Sequence, residues 1–99
     1  MAMLDDVKKV MRISDSTTVF DDEISDLIAA AQADLQLSGM AAEKVIDDTD
    51  PLIKRAIVVY VKWQFGFDNP DADRLERAYN LLKGHLTLSQ DYITIPEEV

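Results

Sequence analysis

Apolar residues along this chain recur mainly at spacings of three and four, the period that gathers them on one side of an α-helix. Leu4, Val7, Val10 and Met11 share a side, with Asp5 and Asp6 before them and Lys8, Lys9 and Arg12 towards the end. That order of charge complements the helix dipole and predicts a first helix over residues 4–13. Ser14 to Thr18 is a polar loop. Ile24, Leu27, Ile28, Ala31 and Leu35 define a second helix over 22–38, in which Asp21 or Asp22 can cap the exposed amides and Gly39 marks the stop. Ala29, Ala30, Ala31 and Ala33 add helix propensity to it.

Met40 to Thr49 is expected to be a loop with a short helical turn, its Val45 and Ile46 tucked into the core. Asp50-Pro51 then combines a capping carboxylate with a proline at the first helical position. A third helix over 51–65 follows, ended by Gly66. Its Ala56 to Val61 run is rich in β-branched residues, which permits a strand. Helix start and stop signals bracket about fifteen residues, longer than most strands, and this favours helix. The helix is apolar almost all round. At 100° per residue Lys54, Val58 and Lys62 fall within one sector of ~80°, with Arg55 at its edge. Val58 is therefore expected on the outward side among cations, either as a lone exposed side chain or as part of an assembly contact.

Asn69-Pro70 repeats the cap-and-proline signal. A fourth helix over 70–86 places Leu75, Ala78, Tyr79, Leu82 and Leu86 on one face, with Asp73 and Arg77 spaced to pair; near Gly84 it can stop anywhere from Leu82 to Leu88. Tyr60, Trp63, Phe65, Phe67 and Tyr79 form an aromatic group expected to hinge the third and fourth helices, with Trp63 or Phe67 facing a partner as the functional alternative. Residues 88–99 change character: Tyr92, Ile93, Thr94 and Ile95 favour extended structure and Pro96 interrupts. This segment is either a frayed tail or an arm on another subunit. The expected fold is all-α, a small bundle of about four helices with a short extended C-terminal tail. Residues 1–99 suit one domain, with 88–99 as its tail or arm.

Charge narrows the partners. Nineteen acidic residues against ten Lys and Arg give a net charge of −9, with twelve acids and four bases in the first fifty residues. An acidic surface repels phosphate backbones and supplies no counterion release on binding them. Lys8, Lys9 and Arg12 are only three charges on a short helix, so specific DNA binding is not expected. The longest apolar run, Ala56 to Val61, is far below the ~20 residues needed to cross a bilayer, and no membrane partner is expected. Met1 to Asp6 show no signal-peptide pattern, which makes retention inside a cell the default. With no cysteine, disulfides and thiolate ligands are excluded.

Candidate chemistry is sparse. His85 is the single histidine, so a histidine metal cluster is excluded. Gly39, Gly66 and Gly84 are too dispersed for a phosphate loop, and the serines form no nucleophile elbow. Asp21, Asp22, Glu23 and Asp26 lack the ligand spacing and turn glycine of a hard-metal site, and capping explains them. Asp47, Asp48 and Asp50 are similar, with Asp50 the cap. No catalytic residue, metal or cofactor is expected.

The order of these pieces resembles a known family. The opening run Leu4-Asp5-Asp6-Val7-Lys8-Lys9-Val10-Met11-Arg12-Ile13 is followed by Asp21-Asp22-Glu23-Ile24 and Leu27-Ile28-Ala29-Ala30-Ala31. Then come Ala56 through Tyr60-Val61 with Trp63, and a closing helix with Leu81-Leu82. Over roughly residues 4–90 the chain is similar to the small head–tail connector (adaptor) proteins of long-tailed double-stranded DNA phages and prophages. Family members often carry a more charged segment where this chain has Gly66-Phe67-Asp68-Asn69-Pro70.

The resemblance implies a structural virion protein made in the host bacterial cytoplasm. It would form a homo-oligomeric ring beneath the portal protein at the head–tail junction and join the DNA-filled head to a stopper or tail-completion protein. DNA would pass through the ring's channel without specific binding. Val58, Lys62, Trp63, Phe67, Tyr92, Ile93 and Ile95 are the candidate interface residues. The acidity also fits a different molecule, a cytoplasmic helical regulator or adaptor that binds a basic protein.

Overall fold

Local capping and stop signals at Asp50 and Gly39 each fix a helix boundary. The structure, a computed structural model, describes residues 3–14, 16–47, 49–65 and 69–88. It contains α1 (Met3–Val10), α2 (Asp21–Leu37), α3 (Ala42–Val45), α4 (Pro51–Gln64) and α5 (Ala72–Leu88), with no strand among the described residues. The all-α expectation holds, and the expected turn after Gly39 is the four-residue α3. The extended tail lies outside the described residues.

Asp50 caps α4 as its sequence indicates, its carboxylate accepting from the Leu52 and Ile53 amides. Gly39 ends α2 at φ +113°. The Gly39 amide donates to the Gln36 carbonyl and the Met40 amide to Leu35, the paired bonds of a Schellman cap. Met40 and Leu35, which that cap brings together, are both fully buried. The same device closes α1 without a glycine: Arg12 adopts φ +62°, with Arg12 donating to Lys9 and Ile13 to Lys8. A left-handed arginine gives no sequence signal, so α1 stops at Val10 and not at Ile13.

Two capping expectations are corrected. Phe20 occupies the cap position of α2 without a side-chain bond, and Asp21 turns instead to Lys8, whose ammonium lies 2.8 Å away. Asn69 does accept from the Asp71 amide at 3.0 Å, yet α5 begins only at Ala72. Its amide nitrogen reaches back to the carbonyls of Lys62 and Trp63, which holds the α4–α5 connection. Asp73 and Arg77 form no pair among the described residues; Arg74 meets Asp71 at 3.5 Å.

α4 is the central element, packed against α1, α2 and α5. Ile53, Ala56, Ile57 and Val61 are fully buried, and Val59 nearly so. Helix neighbours on three sides therefore account for its all-round apolar surface. Val45 is buried as expected, whereas Ile46 is 66% exposed because α3 ends before it. The aromatic group clasps helices together: Tyr60 meets Trp63 at 5.6 Å and Tyr79 at 5.1 Å, while Phe65 meets Phe20 at 5.4 Å. No helix is long and apolar enough to cross a membrane among the described residues.

Candidate functional site

α1 and α5 flank one side of α4 and leave a groove between them. Its volume is about 570 Å³, with Val58 and Val59 from α4, Val10 from α1 and Leu75 and Ala78 from α5 among its apolar lining. A second hollow of about 310 Å³ shares Lys62, Arg74 and Leu75 and extends it towards Phe65 and Asn69. The cations Lys9, Lys54, Arg55, Lys62 and Arg74 line this surface, half of the ten in the whole chain. Two of them are neutralised: Lys54 by Asp6 at 3.4 Å and Arg74 by Asp71. Lys9, Arg55 and Lys62 have no carboxylate partner among the described residues. An acidic protein thus carries a locally cationic groove with an apolar floor.

This arrangement corrects the expected exposure of Val58. The residue is only 8% exposed, because α1 and α5 rise on either side of the sector that a single-helix projection leaves open. Lys62 stands on the groove wall and is exposed. Trp63 lies apart from both, half-buried against Tyr60 and Tyr79. Phe67, Tyr92, Ile93 and Ile95 lie outside the described residues. Lys9 and Arg74 complete the groove from distant parts of the chain, and no local pattern links them to α4.

Two other polar clusters have structural roles. Lys8 is 3% exposed, and its ammonium donates to the Thr17 carbonyl at 2.7 Å while facing Asp21. It ties α1, the following loop and the start of α2 together. On the far side, Asp34 accepts from the Tyr79 hydroxyl at 2.6 Å and from Lys83 at 3.0 Å. Partial desolvation pushes the Asp34 carboxyl up, but the Tyr79 and Lys83 hydrogen bonds and the Lys83 charge outweigh it and hold the group below its ordinary value. Burial, followed by the Asp34 bond and charge, pushes the Tyr79 phenol up. Lys83 also lies 5.2 Å from the Tyr79 ring centre.

No group of three or more potential metal ligands occurs among the described residues. Asp22, Glu23 and Asp26 are exposed, as is His85. Asp47 accepts from the amide and hydroxyl of Thr49, and Asp50 is a cap. Asp48 lies outside the described residues. These geometries provide capping and clasping.

The phage connector protein family matches residues 3–93. The chain belongs to the phage connector protein family. It is therefore a structural connector component of a phage particle, and the all-helical architecture is in keeping with that role. Comparison with curated proteins and with solved structures yields no match. The connector assignment gives the exposed apolar side chains a context: Val19, Leu37, Leu81 and Leu88 are each more than half exposed on this subunit.

Proposed function

We propose that this connector forms a homo-oligomeric ring beneath the portal at the head–tail junction, where it joins the DNA-filled head to a stopper or tail-completion protein. The observation that carries the proposal is the family match over nearly the whole chain. In this role residues 1–99 act as one helical unit, with 88–99 as an arm. The ring leaves a channel for DNA, and acidic side chains facing that channel let the duplex slide without being gripped. Val58, Lys62, Trp63, Phe67, Tyr92, Ile93 and Ile95 are proposed contacts to ring neighbours or to the portal.

Heads assembled without this protein but with their portal provide the test. Added connector should appear by cryo-electron microscopy as a ring at the portal vertex and restore tail attachment. Binding elsewhere on the head, or tail attachment without it, would contradict the proposal. Free connector should bind duplex DNA no more tightly than a neutral control protein at ~0.15 M salt.

A further inference from the structure

We propose that the groove between α1, α4 and α5 receives residues 91–98 of a neighbouring copy, so that each connector is clasped by the next. The inference rests on the ring reading above and names the contact that would propagate it.

Three observations select this occupant. The first is charge. Lys9, Arg55 and Lys62 are exposed cations without a carboxylate partner among the described residues, and the segment supplies Asp91, Glu97 and Glu98. The second is the floor. Val58, Val59 and Val10 offer apolar surface that a phosphate backbone does not use, and the segment brings Tyr92, Ile93 and Ile95. Opposite charge interleaved with apolar residues matches the groove better than nucleic acid does.

The third observation is length. From Pro51 to Lys62 the groove follows α4 for eleven helical steps, about 17 Å at 1.5 Å per step. Five or six extended residues at about 3.3 Å each span that distance. The ring reading sets a neighbouring copy beside each subunit, and that copy's segment is the occupant proposed. A groove on one copy that takes a different segment of the next is a head-to-tail contact, the type that closes into rings.

A fluorescent peptide of residues 89–99, titrated into the full-length protein at ~0.15 M salt, should bind saturably. Arg55→Glu/Lys62→Glu removes no ion pair among the described residues and alters two exposed positions, so circular dichroism should be unchanged. The peptide's affinity for that variant should fall at least tenfold, and a Glu97→Lys/Glu98→Lys peptide should recover most of the loss. Because the chain has no cysteine, Val10→Cys in one copy and Ile95→Cys in a mass-tagged copy should give a mixed disulfide in assembled particles. Absence of peptide binding, or binding insensitive to charge reversal, overturns the proposal. So does a disulfide formed only within one chain carrying both cysteines, or displacement of the peptide by duplex DNA. Ring formation on portals is read separately, so a connector that docks with an empty groove refutes the clasp alone.

Discussion

The Tyr79 hydroxyl donates a 2.6 Å hydrogen bond to Asp34 across 45 positions of sequence. It joins α5 to α2, which otherwise meet mainly through the central α4. Removing the donor with Tyr79→Phe keeps the ring contacts to Tyr60 and Trp63 and leaves Lys83 on the carboxylate. A bond to a charged group of this kind contributes on the order of 1–2 kcal/mol when partly exposed. Urea unfolding of Tyr79→Phe should show a loss of that size with an unchanged denaturant slope.

The same carboxylate sets a pH dependence. Asp34 is held below its ordinary value of 3.8 in the folded protein, so unfolding takes up a proton between the folded value and 3.8. Its contribution is complete above 3.8 and is lost as pH falls through the folded value. The stability difference between the native sequence and Asp34→Asn should therefore be largest near neutrality and shrink on acidification. A difference that grows towards low pH would reverse the assigned sign.

Lys8 is a buried cation whose removal strands Asp21 and the Thr17 carbonyl. Lys8→Met keeps the stem volume and should cost about 3 kcal/mol, the lower range for breaking a buried pair, because Asp21 is partly solvated. For a domain of this size, that lowers the melting temperature by more than about 10 °C. Lys8→Met/Asp21→Asn should regain a substantial part of the loss, which a purely steric role of Lys8 would not produce.

Burial separates folding variants from assembly variants on α4. Ile57 is fully buried, and Ile57→Ala should cost about 2–5 kcal/mol. Leu27 is only partly buried, so Leu27→Ala should cost less. Val58→Glu places a carboxylate on the groove floor, and a cost of about 1–3 kcal/mol is expected despite the nearby cations. Lys62→Glu faces solvent and should shift stability within about 0.5 kcal/mol. In differential scanning calorimetry the two should separate clearly, which makes Lys62→Glu the informative variant for assembly on portals.

The family and the main helices were legible because their signals are local. Asp50-Pro51 and Gly39 act within a turn of the residues they organise, and a three-to-four spacing is a property of one helix. Where the local code was silent, boundaries shifted: Arg12 closes α1 from a left-handed conformation that arginine rarely takes. The candidate interface was only partly legible. Lys54, Val58 and Lys62 were visible as one sector, but a projection of a single helix contains no walls.

The sequence by itself therefore determined the helical class, the central apolar helix and the helix boundaries at Asp50 and Gly39. Tertiary structure decided which charges are spent and which are free. It turned Lys8 inward to Asp21, joined Asp34 to Tyr79 and Lys83, and lowered Val58 to the floor of a groove. It also drew Lys9 and Arg74 beside the cations of α4, making a basic surface on a chain of net charge −9. The physical reason is range. Periodicity and capping act over a few residues, whereas these juxtapositions depend on how α1, α2 and α5 are placed around α4 and have no counterpart in local spacing.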